Sequence, residues 1–449
     1  MVTTVSVCRD LFETRSATYS NRIATQMVQL CGFQEGMMFQ RDTNKLRQGR
    51  RMASMVLAHR EVEKRRHVYA EHTVMFLASL LRTPENFLHH IGKLPVGLTL
   101  KLAYGYKVQG DDDPFVKRAQ EWVEHFASAT SFGDFLVNWF PTLKYVPSWV
   151  PGASFQRIAV EWKKNAYAFT WNAFNDVKSA VANGDAPSSL ISKVLVDSPG
   201  VFDEDAIAFS AAELITGGAD TTVNTLSTFV LAMLLHPQVQ EKAREEIDRV
   251  VGVDRLPSPT DWDDLPYVTS VLRETIRWHP AVPLLTRSPI KDDLYNGYIL
   301  PKDALIIVNY WAMLHNEEYF PDHEVFRPER WADLTVDKDN DPLQIAFGFG
   351  KRSCAGQAAA KELLFTVMAS MLATFNITKT TDANGNVITP AEEFTNGGIV
   401  YDLSTRAFEE TIAHEPLCPL SGPVPFKCTI APHSSHARRL IETAIYVMS

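Results

Sequence analysis

The stretch Phe347-Gly348-Phe349-Gly350-Lys351-Arg352-Ser353-Cys354-Ala355-Gly356 is the most informative part of the sequence. It runs directly into Gln357-Ala358-Ala359-Ala360-Lys361-Glu362-Leu363-Leu364, a series of strong helix formers. We therefore expect Cys354 to lie where a glycine-bearing loop enters a helix. The partial positive charge and unpaired N–H groups of a helix N-terminus favour the thiolate over the thiol. Taken alone, a single cysteine is more often a buried and inert residue.

Residues on either side of Cys354 suit the binding of a metal-containing group to the cysteine sulfur. A thiolate is a strong axial donor to haem iron. Gly350 and Gly356 would let the backbone approach the sulfur and a porphyrin closely, because glycine has no Cβ. Arg352 could pair with a haem propionate. The other cysteines are scattered and form neither a disulfide framework nor a zinc motif, namely Cys8, Cys31, Cys418 and Cys428.

A long helix is predicted from Asp203 to Leu235, with Asp203 as its N-cap. Its middle reads Gly217-Gly218-Ala219-Asp220-Thr221-Thr222. Two adjacent glycines weaken a helix by about 1 kcal/mol each relative to alanine, which suggests a kink or a close approach to the backbone. Read alone, the segment is more simply a kinked helix with incidental polar residues.

The rest of the chain predicts a mainly helical protein with a minor β component. Helical periodicity marks residues 71–81, 115–127, 155–182, 239–250 and 267–278, and strand-like runs occur at 296–300 and 304–308. The net charge of −9 and pI of about 5.8 disfavour a nucleic-acid binder. The basic stretch from Arg47 to Arg66 is read as a solvated helix face. The sequence shows neither a signal peptide nor an apolar span of about 20 residues.

Taken together, these features resemble the cytochrome P450 family. The pattern Phe347-x-x-Gly350-x-Arg352-x-Cys354-x-Gly356 matches the haem-ligand signature of that family at every fixed position. The resemblance implies the cytochrome P450 fold as a single haem domain over residues 1–449, with haem b as the cofactor and Cys354 as the iron ligand. It is closest to membrane-bound fungal members of secondary metabolism.

Other positions match further family motifs. The segment from Gly217 to Thr221 matches the distal-helix motif, which implies that Thr221 holds and protonates bound dioxygen and that Asp220 relays protons from solvent. Arg287 matches a strand arginine that pairs with a haem propionate. Arg50 matches the arginine of a Trp-x-x-x-Arg motif, in which Leu46 here replaces the tryptophan.

A charged triad is also implied by the resemblance. Glu274 and Arg277 stand one helical turn apart, a spacing that by itself suggests only a surface salt bridge. In the family this pair is buried and meets an arginine of a later loop, which here is Arg330 in Phe326-Arg327-Pro328-Glu329-Arg330-Trp331. We expect loss of folded, haem-loaded protein if the triad is broken.

The implied activity is that of a haem-thiolate monooxygenase, an oxidoreductase that inserts one oxygen atom of O2 into a small hydrophobic molecule. No dinucleotide-binding glycine motif follows a strand, so electrons are expected from a separate NADPH–cytochrome P450 reductase that docks near the Cys354 face. Two alternatives remain open. One is a member that rearranges or dehydrates its substrate without a reductase, and the other is a non-catalytic haem-binding protein or an unfolded fragment.

Two departures from the family pattern stand out. The chain begins beyond the usual membrane anchor, proline-rich hinge, first helix and first strands. The expected location is therefore the endoplasmic reticulum membrane if the N-terminus is truncated, and the cytoplasm as written. Residues 401–422 are predicted to be an insertion, either an in-frame retained intron or a real loop near the mouth of the active site.

Overall fold

The computed structural model describes residues 1–110, 113–332, 338–382, 384–395 and 420–448. The fold is mainly α-helical with a few short strands, which confirms the predicted fold class. The helices are α1 Val5–Arg9, α2 Gln26–Leu30, α3 Thr43–Leu57, α4 His59–Lys64, α5 Arg66–Arg82, α6 Phe87–Tyr104, α7 Pro114–Thr130, α8 Leu136–Trp139, α9 Ser154–Asn183, α10 Leu190–Asp197, α11 Glu204–Leu235, α12 Pro237–Val250, α13 Pro266–Trp278, α14 Tyr310–Leu314, α15 Pro342–Ile345, α16 Gln357–Thr374 and α17 Ser435–Met448.

The described strands pair in antiparallel two-stranded sheets: β1 Leu284–Arg287 with β4 Ile306–Asn309, β2 Asp293–Tyr295 with β3 Tyr298–Leu300, β5 Phe375–Thr378 with β8 Thr429–Pro432, and β6 Thr380–Thr381 with β7 Val387–Ile388. The N–H of Val2 donates to the Ile307 carbonyl at 2.8 Å, and the Val2 carbonyl accepts from Asn309 at 2.9 Å. The start of the described chain therefore pairs with the free side of β4.

The predicted helices are confirmed, and the two strand predictions begin too early. All six periodic segments lie within α5, α7, α9, α11, α12 and α13. β3 begins at Tyr298 because Asn296 and Gly297 form the hairpin turn, with φ of 49° and 83°. Two left-handed residues are what a tight hairpin requires, and Asn-Gly is its favoured sequence. β4 begins at Ile306 rather than at residue 304.

Helix α11 is the central element of the fold. It packs against α3, α6, α7, α9, α13 and α16, and most of its residues are buried. Asp203 is the N-cap residue, as predicted, with extended backbone, although its side chain makes no capping hydrogen bond. Glu204 and Asp205 do lie in the first turn, where negative charge is favourable.

Two apolar clusters meet along α11. Residues Ile207 to Ala219 pack into a cluster with α2, α7, α9 and α10, whereas Val223 to Leu234 pack into a cluster with α5, α13 and α16. The polar segment Asp220–Thr222 therefore lies where the helix passes from one cluster to the other. Among the described residues, none of the helices is both long and apolar enough to span a bilayer.

Candidate functional site

Cys354 lies in the turn between a short 3-10 helix, Gly350–Arg352, and the start of α16. Its backbone N–H donates to the carbonyl of Phe347 at 2.7 Å, which closes the loop. The Cys354 side chain is exposed, although protein atoms surround the sulfur. Burial raises the pKa of the Cys354 thiol, and the N–H of Gly356 and the charge of Arg50 offset part of that rise. In the protein alone, burial therefore outweighs the expected helix effect.

The two glycines of this loop do different things. Gly350 has a φ of +63°, and a Cβ at this position would lie 1.8 Å from the carbonyl oxygen of Phe12. Phe12 belongs to a π-helical turn, Asp10–Thr14, so Gly350 is needed for that turn to pack on the loop rather than for an approach to sulfur. At Gly356 a Cβ would meet Cys354 Sγ at 3.8 Å, an ordinary contact.

Two buried arginines, Arg287 and Arg352, and the half-buried Arg22 converge beside this loop. Arg352 donates to the carbonyls of Ser20 at 2.7 Å and Met37 at 2.8 Å, and also to the carbonyl of Gln40. Arg287 is 1% exposed and donates to the carbonyls of Thr286 at 3.2 Å and Arg352 at 3.5 Å. The third is Arg22, whose Nε is buried without a hydrogen-bond partner among the described residues.

The three guanidinium groups act on one another. Burial lowers the pKa of each, and the charges of neighbouring arginines lower the pKa of Arg22 and Arg352 further. For Arg352 the pKa falls to about 10. Mutual repulsion among buried cations is costly unless anions compensate it. The cluster is therefore suited to bind a molecule with more than one carboxylate.

Arg50 approaches the cysteine loop from a different helix. It lies on α3 and donates from Nη1 to the Ser353 carbonyl at 2.9 Å. Its charge acts directly on Cys354. One turn earlier, Leu46 is buried in the core, so the residue that replaces the expected tryptophan serves packing.

The glycine pair of α11 has two distinct environments. A Cβ at Gly217 would enter open space, whereas one at Gly218 would lie 2.7 Å from the methyl group of Thr99 on α6. The close packing of α6 on α11 thus explains Gly218. At Gly217 the absence of a side chain leaves open space on α11 just before Asp220. The Thr221 hydroxyl donates to the Gly217 carbonyl at 3.0 Å. Burial, together with the charge of Glu124, raises the pKa of Asp220 to about 7.

The predicted triad residues are in contact. Arg277 makes two hydrogen bonds to the Glu274 carboxylate, at 2.8 and 2.9 Å, and both side chains are fully buried. Arg330 reaches the same carboxylate at 3.0 Å from the 3-10 helix Pro328–Trp331. Two groups that the sequence did not predict also donate to Glu274, the Trp331 indole at 2.9 Å and the Arg327 backbone N–H at 2.8 Å.

Comparison with known proteins identifies the family. The family model described as Cytochrome P450 matches residues 1–396. The chain belongs to the cytochrome P450 family. It is 38% identical over 443 residues to cytochrome P450 monooxygenase 208 of Postia placenta, covering 96% of this chain and 81% of that protein. It is 34% identical over 407 residues to tryptamine 4-monooxygenase of Psilocybe cyanescens, covering 88% and 80%.

Solved structures show the same fold. A zebrafish cytochrome P450 crystallised with progesterone superposes with a TM-score of 0.75 at 21% identity, covering 96% of this chain and 93% of that one. From the family match and the relatives named as monooxygenases, the chain is a P450 monooxygenase, an oxidoreductase whose cofactor is haem iron.

The residues present fit haem b. Cys354 presents an exposed thiol before α16, and Arg22, Arg287 and Arg352 place positive charge near it that two propionates would neutralise. Arg22 had no signal in the sequence, because it lies far from any motif and only the fold brings it to the cluster. Most of the predicted insertion at 401–422 lies outside the described residues.

Proposed function

We propose that this P450 inserts one oxygen atom of O2 into a small hydrophobic molecule of fungal secondary metabolism, and that its electrons come from a separate NADPH–cytochrome P450 reductase. The observation that carries the proposal is the half-buried Asp220 beside Thr221, next to the open space at Gly217 on α11. Relatives named as monooxygenases, among them the tryptamine 4-monooxygenase, support the reaction class.

Haem, when bound, supplies the activation of dioxygen, and the protein supplies binding and protons. Cys354 would hold the iron, and the arginine cluster would hold the propionates. Asp220, with a pKa of about 7, can both hold and release a proton at neutral pH, which suits general acid catalysis. The Thr221 hydroxyl, one residue away, would pass that proton into the cavity.

The Asp220–Thr221 pair also bears on the alternatives. An enzyme that rearranges its substrate without a reductase has no need of proton delivery, so the pair favours the oxygenase. A non-catalytic haem-binding protein would show the absorption spectrum of the family without consuming reductant. Both alternatives are therefore accessible to measurement.

The first test is the absorption spectrum of the reduced protein with carbon monoxide. We expect a strongly red-shifted Soret band that Cys354→Ser abolishes or moves back, since sulfur ligation causes the shift. Addition of reductase and NADPH should then produce steady NADPH oxidation that depends on O2. A normal spectrum with no reductase-dependent oxidation would contradict the proposed monooxygenase activity and favour a haem-binding protein.

We further propose that the protein works at the endoplasmic reticulum membrane. An exposed apolar surface surrounds α8 and the 3-10 helix Pro141–Tyr145, and the exposed fractions of its side chains are 70% for Leu136, 58% for Trp139, 61% for Phe140, 78% for Tyr145 and 81% for Trp149. Arg157 and Lys164 are exposed beside it. Aromatic side chains rimmed by cations suit the interface of an anionic bilayer.

Sedimentation with vesicles tests this location. Trp149→Ser combined with Tyr145→Ser should weaken binding to phosphatidylcholine–phosphatidylserine vesicles by about tenfold or more, because each aromatic ring buries a large area. Tyr298→Ser is the matched control, since Tyr298 is 74% exposed on the β2–β3 hairpin. Equal binding by the double variant and the wild type would contradict a membrane role for this surface.

A further inference from the structure

A buried carboxylate, Glu213, lies close to the arginine cluster. It is on α11 and 8% exposed. Its two oxygens accept the backbone N–H groups of Met37 at 2.5 Å and Met38 at 2.8 Å. The fit is tight, because a Cβ at Gly36 would lie 2.2 Å from Glu213 Oε1. Neither the sequence motifs nor the reaction described above account for this residue.

The segment that Glu213 holds is the one that holds Arg352. The carbonyls of Met37 and Met38 accept Arg352 Nη1 at 2.8 and 3.4 Å, and the carbonyl of Gln40 accepts Nη2. The backbone of residues 37–40 is therefore bound from two sides: Glu213 of α11 accepts its N–H groups, and Arg352 of the cysteine loop donates to its carbonyls. A change at Glu213 would be transmitted to the orientation of the Arg352 guanidinium.

Charge gives Glu213 a second connection to the same cluster. Its negative charge acts on both Arg22 and Arg352. Burial raises the pKa of Glu213 to about 7, after the two backbone N–H groups and the charges of Arg22 and Arg352 have offset part of the rise. Three guanidinium groups and one ionised carboxylate leave two positive charges, the number that two propionates neutralise. Ionised Glu213 therefore brings the charge of these three arginines to the value that two propionates match.

We propose that Glu213 is a positioning residue of the haem site: it fixes residues 37–40, through which Arg352 is held, and it supplies the negative charge that matches the arginine cluster to two propionates. The inference rests on haem binding and not on the identity of the substrate or reductase. It can therefore be tested on purified, haem-loaded protein whose carbon monoxide spectrum is normal.

Two measurements test the charge and the positioning separately. Glu213→Gln keeps the shape and removes the charge, so the midpoint potential of the haem at pH 8 should shift to a more positive value, because lost negative charge disfavours the ferric form. Glu213→Ala removes the hydrogen bonds to residues 37 and 38, and haem transfer to an apoglobin trap should become about tenfold faster or more. Glu204→Gln, an exposed site in the first turn of the same helix, is the control for both.

Two further variants guard against loss of folding. Glu213→Asp restores the charge and should return the potential toward that of the wild type. Gly36→Ala keeps the glutamate at position 213, but the added Cβ would displace its carboxylate, so this variant should reproduce the faster haem loss. An unchanged potential in Glu213→Gln would overturn the charge role, and wild-type haem loss in both Glu213→Ala and Gly36→Ala would overturn the positioning role. Failure of the wild type to bind haem would instead overturn the haem assignment itself.

Discussion

At the scale of single residues, Asp220 makes the sharpest prediction. Its folded pKa of about 7 lies well above the ordinary value of 3.8, because burial and the Glu124 charge disfavour ionisation. As a proton donor it is competent below that pKa, so the turnover rate of the wild type should fall as pH rises through about 7. Asp220→Asn should lose this inflection and about 10²-fold of the rate. Asp205→Asn, exposed on the same helix, is the control.

The same carboxyl has a consequence for stability. Because its pKa is raised on folding, ionisation of Asp220 costs folding free energy as pH rises from about 4 to about 7. Asp220→Asn should therefore gain stability relative to the wild type at pH 8 compared with pH 5, as measured by denaturant unfolding. An equal difference at both pH values would contradict the raised pKa.

The site residues show what sequence can and cannot predict at this scale. Cys354, Arg50 and Asp220 could be found because each lies in a short motif whose spacing is visible along the chain. Arg22 and Glu213 could not, since each acquires its meaning only from partners that lie more than 170 residues away in the chain. Arg22 neighbours Arg352, and Glu213 holds Met37 and Met38.

At the scale of elements, the Glu274 network joins α13 to the loop that carries Arg330. Glu274→Ala would leave the fully buried Arg277 without its counter-charge, and we expect a loss of about 3–5 kcal/mol in the free energy of unfolding, with loss of haem. Glu329→Gln, whose carboxylate pairs with Lys242 at the surface, should cost less than about 1 kcal/mol. Denaturant titration and haem content measure both; equal small losses would make the triad dispensable.

The second prediction at this scale concerns residues 401–422, the predicted insertion. Its flanks meet: the Thr395 N–H donates to the Gly422 carbonyl at 2.8 Å, and Phe394 pairs with Pro423. Ser421 is already part of the fold, since its hydroxyl contacts His279 at 2.8 Å, so the predicted range 401–422 extends into structured residues. Deletion of residues 401–420 should preserve the carbon monoxide spectrum and the melting temperature, because a loop with adjacent ends adds little to stability. Loss of haem on deletion would show that the segment belongs to the domain.

Elements were predictable where burial is one-sided. Helices such as α7 and α13 bury one face, and their periodicity is visible in the sequence. α6 was missed because it is buried on nearly all sides and contains Pro95, so neither periodicity nor composition marks it as a helix. The strands were placed only approximately. The prediction at 296–300 included Asn296 and Gly297, which form the hairpin turn before β3.

At the scale of the whole molecule, charge is distributed unevenly. The chain carries a net charge of −9, yet exposed cations lie around the cysteine loop. Lys351 is exposed three residues before Cys354, and Arg47 is exposed one turn from Arg50, which contacts that loop. Since α3 and α4 also pack against α16, Arg47 and Lys351 both lie on segments that adjoin the cysteine loop. Such a surface suits an acidic electron-transfer partner.

The proposed reductase should therefore dock by charge at this face. Lys351→Glu combined with Arg47→Glu should slow reductase-driven haem reduction by about tenfold at low salt, and the difference should shrink as salt screens it. Reduction by dithionite and the carbon monoxide spectrum should be unchanged, because neither residue belongs to the cluster of Arg22, Arg287 and Arg352. Lys302→Glu, an exposed site on the loop after β3, is the control. Equal rates for the double variant and the wild type at all salt concentrations would place the electron entry elsewhere, and a parallel loss in dithionite reduction would mean that the substitutions damaged the haem site instead.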